Sequence, residues 1–217
     1  MSDSKAPRPM RPVLLMLTML LCIVMGWSGM AMGCNTIQAY RSPSLQDPPL
    51  REGEDPRIHE QVVALTQAMR PVLDESRPVR LPLAIANMLL SALLVVATTR
   101  ALGGRPGAWG LAVQAVLANA ALAIAEFVST ASFRARSAVV FSDYFANILA
   151  LDGNARLESP DQITVILRGT FVGVFAATLG TYGIALFALT RPASREYLAP
   201  GPEDESDFDH DNDDDEM

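Results

Sequence analysis

The chain has 217 residues, half of them hydrophobic, and a formal net charge of −7. Ten acids between Glu203 and Glu216, with no Lys or Arg among them, account for more than the whole of that charge, and without them the net charge is +3. A body so weakly basic carries no face for nucleic acid, and two cysteines are too few for a disulfide framework.

The apolar residues are gathered into blocks rather than dispersed at helical or strand spacing. Four stretches carry no charge: between Arg11 and Arg41, Arg80 and Arg100, Arg105 and Glu126, and Arg168 and Arg191. A helix rises about 1.5 Å per residue, so roughly 20 apolar residues cross a hydrocarbon core about 30 Å thick. The expected fold class is all-α, a polytopic membrane protein with a four-transmembrane-helix bundle and short extramembrane amphipathic helices.

Residues 1–33 combine a basic, proline-containing start (Lys5, Arg8, Arg11) with a Leu- and Met-rich run, the pattern of a signal anchor or signal peptide. The string Gly29-Met30-Ala31-Met32-Gly33-Cys34 resembles a bacterial lipoprotein processing site, in which small residues precede a cysteine that takes a diacylglycerol. Ala31 stands where such sites usually carry leucine. Cys34 is therefore a candidate lipidation site, against the alternative of an uncleaved first span. A Cys22–Cys34 bond is excluded if both lie on one helix, because 12 residues separate them by about 18 Å.

Residues 34–80 form a second segment, opened by Pro43, Pro48 and Pro49. Asp55 as N-cap and Pro56 at the first helical position predict a helix start. Ile58, Val62, Leu65, Met69 and Val72 alternate at spacings of four and three, which makes an apolar stripe. Pro71 is expected to kink or end this helix near Arg70. Residues 81–129 form a transmembrane hairpin, turned by Gly103, Gly104, Pro106 and Gly107. Its second arm carries Ala112, Ala115, Ala118, Ala121 and Ala125, small residues that let helices approach closely in lipid.

Residues 130–168 are a second amphipathic segment. Phe133, Val140, Phe141, Tyr144, Phe145, Ile148 and Leu151 supply an apolar face, and Gly153 a C-cap. Ser159-Pro160-Asp161-Gln162 predicts a new helix start that runs on into the fourth span, residues 169–190. Gly169, Gly173 and Ala177, and Ala176 with Gly180, are expected to mark its packing face. Residues 191–217 read as a disordered acidic tail on the cytoplasmic side.

Lys5, Arg8 and Arg11 before the first span, with Arg41 alone close behind it, place both termini in the cytoplasm by the positive-inside rule. Sixteen Arg against one Lys suggests a GC-rich bacterial genome, hence a bacterial inner membrane. The candidate intramembrane polar residues are Glu126, Arg168, Asn119, Gln114 and Asn87. Acids inside membranes are costly and often functional, yet Glu126 lies near the end of its run, where Arg168 is the expected ion partner. The amides are expected to bridge helices. His59 and His210 have no metal-ligand partners at the right spacing, and the alternating Asp207 to Asp213 lacks the glycine a calcium loop needs at its sixth position, held by Asn212. No catalytic, cofactor or metal motif is present in the sequence. The expected role is a structural or interaction component held in a lipid bilayer, with a membrane-protein partner or as a homo-oligomer. The alternative is an oligomeric conductor of ions or solutes using Glu126 and the polar residues of span three.

Overall fold

The computed structural model describes residues 13–41, 55–105, 107–151 and 159–198. These residues are 95% helix, with no strand among them. The helices are α1 (Val13–Arg41), α2 (Pro56–Leu102), α3 (Ala108–Ser129), α4 (Ala131–Leu151), α5 (Pro160–Thr190) and α6 (Pro192–Leu198). Four of them, α1, α2, α3 and α5, are long and apolar enough to cross a membrane. Their outward side chains are apolar: Leu17 is 61% exposed, Leu89 60% and Val174 62%. Surfaces of this kind suggest a membrane protein, because water would not tolerate them side by side.

Helix starts follow the local chemistry. The Asp55 carboxylate accepts a hydrogen bond from the Arg57 amide at 2.9 Å and caps α2, whose first residue is Pro56. The amide of Gln162 donates to the Ser159 carbonyl at 2.9 Å where α5 begins.

The helix does not end at Pro71, since α2 runs 47 residues through Pro71, Pro78 and Pro82. Spacings of seven and four put the three rings within about 40° of one helical face. All three are exposed, so the missing amides and the bulk of the rings fall on the outer surface. The amphipathic stripe and the second apolar run are thus parts of one helix. Likewise, α1 continues through Cys34 to Arg41, past the end of the apolar run. Helix α4 begins at Ala131, two residues before Phe133, the first of the apolar positions that predicted it. The suggested C-cap Gly153, Pro106 of the hairpin, the prolines before Leu50, the basic start before Pro12 and the acids after Gly201 lie outside the described residues.

Two compact units divide the chain. The first takes Met1–Ser28, Leu90–Asn119 and Thr181–Met217. In it α1 and α2 meet at Gly26, where an added Cβ would lie 2.6 Å from Val95 Cγ2 and 2.9 Å from the Ser91 carbonyl oxygen. Leu15, Met19, Cys22, Leu94, Ala97, Ala112, Ala115, Val116, Ala185 and Leu189 are buried. The turn from α2 to α3 closes with a Schellman motif. Arg105 N–H donates to the Arg100 carbonyl at 3.2 Å and Gly104 N–H to the Ala101 carbonyl at 3.1 Å. Gly104 takes the left-handed conformation this requires, with φ 61°. The expected disordered tail starts instead with α6, which buries Ser194 and Leu198 one turn apart. The Tyr197 hydroxyl donates to the Leu102 carbonyl at 3.4 Å. The Trp109 indole N–H donates to the Leu189 carbonyl at 3.0 Å.

The second unit takes Gly29–Leu89 and Ala120–Gly180. Here α1 meets α2 at Gly33, whose added Cβ would lie 2.8 Å from the Ala84 carbonyl oxygen. Tyr40 and Ser76 share a hydrogen bond at 3.2 Å. An ion pair between Glu75 and Arg136 and the stacking of Arg80 on Phe133 set α4 antiparallel to α2. Thr164 of α5 donates to Ser142 of α4 at 2.8 Å. Phe127 of α3 stacks on Phe175 of α5, with centroids 4.0 Å apart.

The glycine ladder of α5 does not face inward as expected. Leu167, Phe171 and Phe175 are half-buried, whereas Gly169, Gly173, Ala176, Ala177 and Gly180 are exposed. Gly169 and Gly173 are each two residues away from these large side chains, about 200° around the helix. The inward contacts of α5 are made by bulk, and the close backbone approaches belong to Gly26 and Gly33 of α1.

Gly33→Ala is expected to lower the thermal unfolding midpoint in mild detergent, at a cost of about 1–3 kcal/mol from overpacking against backbone. Gly110→Ala is the control, since nothing lies within 4 Å of its added Cβ. Equal midpoints for the two variants would contradict the close contact at Gly33.

Candidate functional site

The polar residues of the apolar helices have separate fates. Asn119 is buried, and its amide donates to the Leu90 carbonyl of α2 at 2.9 Å and to the Ala115 carbonyl of its own helix at 2.8 Å. Asn87 of α2 donates to the Gly29 carbonyl of α1 at 3.3 Å. Both amides therefore join neighbouring helices by taking up spare carbonyl acceptors. Gln114 is exposed on α3 and makes no such bridge. Cys34 is exposed, lies mid-helix, and its thiol approaches the Met88 sulfur at 3.6 Å.

Glu126 occupies an exposed position one turn before the end of α3. The charges acting on it are Arg80 and Arg134. Arg168, its expected partner, is exposed on α5 and forms no ion pair with it. The correction has a simple cause. Helices α3 and α4 are joined by Thr130 alone, and the i→i−4 ladder continues across the joint: Thr130 N–H donates to Glu126 at 3.0 Å and Arg134 N–H to Thr130 at 2.9 Å. Glu126, Thr130 and Arg134 thus fall one turn apart on a single face.

Side chains reinforce this line. The Thr130 hydroxyl donates to the Glu126 carbonyl at 2.7 Å and accepts from the Arg134 guanidinium at 2.8 Å. The Arg134 guanidinium carbon lies 3.8 Å from the centroid of Phe127, and that of Arg80 lies 3.9 Å from the centroid of Phe133. Burial pulls Arg134 down from the ordinary arginine range, and the Glu126 carboxylate opposes that pull. Arginine starts so high that the group stays charged at neutral pH.

The result is a cluster of two guanidiniums and one carboxylate, held on phenylalanine faces where the apolar helices end. Sequence reasoning identified Glu126 but missed Arg80 and Arg134. The available signal was the spacing Glu126–Thr130–Arg134, which is helical once the joint is treated as continuous. Among the described residues, no group of three or more His, Cys, Asp or Glu side chains could hold a metal ion.

Asn119→Ala is expected to lower stability in detergent by about 1 kcal/mol, the usual worth of an interhelical hydrogen bond. Gln114→Ala should leave the unfolding midpoint unchanged. A thermal melt showing the reverse order would contradict the bridging role of Asn119.

No protein-family model, curated protein or solved structure matches this chain.

Proposed function

We propose that the protein is a multi-pass component of a bacterial inner membrane that acts by helix–helix association with a neighbouring chain. The observation that carries this is the outward stripe of α5. Gly169, Gly173 and Gly180 fall within about 40° of one another around the helix, and nothing lies within 4 Å of a Cβ added at any of them. Glycine in a helix is about 1 kcal/mol less favourable than alanine. Facing lipid alone, the three offer no return for that cost. Against another helix they form a groove that brings two backbones close, where dispersion contacts and Cα–H···O contacts accumulate. The occupant is a membrane-spanning helix of a neighbouring chain, apolar and carrying its own small residue at the crossing.

The first span belongs to this reading as a retained element. Gly26 and Gly33 are fitted to α2, and loss of residues 1–33 would uncover Ser91, Ala84 and Met88. Conduction of ions is not favoured by any observation. Both N–H donors of Asn119 are taken by carbonyls, Gln114 is exposed, and Glu126 sits at a helix end beside two arginines.

A photocrosslinking residue at Val172, next to Gly173, should give one adduct of discrete mass in native membranes. Gly169→Ile should abolish it, whereas a crosslinker at Leu17 should yield none. A mass of two chains identifies a homo-oligomer and any other mass a different partner. Adducts insensitive to Gly169→Ile would contradict the groove. Separately, Glu126→Gln should leave cation and proton flux through reconstituted vesicles unchanged, and a lost flux would return the conducting reading to first place.

A further inference from the structure

The cluster at Arg80 and Arg134 has more hydrogen-bonding capacity than the protein uses. A guanidinium carries five N–H donors. Among the described residues Arg80 donates to no side chain or carbonyl, and Arg134 donates only to Thr130. Neither forms an ion pair within 4.0 Å of Glu126. Both are half-buried and held over phenylalanine rings, at 3.9 Å and 3.8 Å from the centroids. Contact with a ring face fixes a guanidinium without consuming a donor. Two immobilised cations with spare donors form a receptor for a tetrahedral oxyanion.

Position and charge narrow the ligand. Arg80 directly precedes the charge-free run of α2, and Glu126 and Arg134 flank the end of α3 at Ser129. One turn deeper on the same faces, Leu83 of α2 and Leu122 of α3 are half-buried, and Val79 beside Arg80 is 42% exposed. The surface offers spare donors at the depth of a headgroup and apolar side chains where acyl chains run. Two guanidiniums and one carboxylate leave one positive charge, which a phosphodiester neutralises. We infer that Arg80 and Arg134 bind the phosphate of an anionic phospholipid, with the Glu126 carboxylate lowering the net positive charge of the site and so disfavouring more highly charged anions. This inference requires the apolar helices to lie in a bilayer, but not the α5 groove.

The test uses the full chain purified in a zwitterionic detergent, with short-chain phosphatidylglycerol, short-chain phosphatidylcholine and inorganic phosphate as probes. Phosphatidylglycerol should raise the unfolding midpoint saturably, and added salt should weaken the effect. Phosphatidylcholine and inorganic phosphate at the same concentration should not raise it. Arg80→Gln and Arg134→Gln should each raise the half-saturating phosphatidylglycerol concentration about tenfold. If either fails to fold, Arg80→Lys and Arg134→Lys keep the charge but lose the planar donor set, and a weaker shift is still expected. An unchanged response in these variants would overturn the site. An equal response to phosphatidylcholine would overturn the requirement for an anionic lipid. Saturation by phosphate alone would overturn the lipid as the source.

Discussion

Backbone amides and carbonyls cannot be left without partners in hydrocarbon, and each one left open costs several kcal/mol. That constraint organises the chain. The four long apolar helices are continuous, and several polar side chains within them serve the backbone. Asn119 and Asn87 spend their donors on carbonyls of adjacent helices. Thr18, Thr98 and Thr170 return theirs to carbonyls of their own helix, one turn back. Charged groups gather where the apolar runs stop, and there they lean on aromatic rings.

Close packing follows the same economy. Without a hydrophobic driving force between helices in lipid, contact depends on how near two backbones can come. Gly26 and Gly33 bring α1 onto α2, each within its own unit. Gly169, Gly173 and Gly180 have the same character and no neighbour close enough to use it. The contrast between the two glycines of α1, filled by α2, and the three of α5, left open, underlies the proposal of an external helix partner.

Much of this was legible from residues alone. Asp55-Pro56 and Ser159-Pro160 marked helix starts, the glycines at 103 and 104 marked a tight turn, and the four charge-free runs marked the long helices. What was not legible depended on contacts distant in sequence or on surface exposure. The penalty at Pro71 is real for a buried helix face, but Pro71, Pro78 and Pro82 share an exposed one, so the helix continues. A ladder of small residues tells that a helix can be approached closely and does not tell from which side. The sequence pairs Glu126 with Arg168 because each borders an apolar run. The one-residue joint at Thr130 instead carries Arg134 to it along the same helical face, and the antiparallel pairing of α2 with α4 brings Arg80. The stretch after Thr190 read as tail, yet Ser194, Tyr197 and Leu198 sit one turn apart and pack α6 under the Gly104 turn.

The central proposal is that the chain crosses a bilayer four times; counting crossings along the sequence then puts the α2–α3 turn and α6 on one face and α4 on the other. Single cysteines at Arg105, Glu196, Glu60 and Asp143, in a chain whose Cys22 and Cys34 are replaced by alanine, test it with a membrane-impermeant maleimide. The account predicts that Arg105→Cys and Glu196→Cys are labelled from one face and Glu60→Cys and Asp143→Cys only from the opposite face. Labelling of all four from the same face, or of Arg105→Cys together with Asp143→Cys, would contradict it.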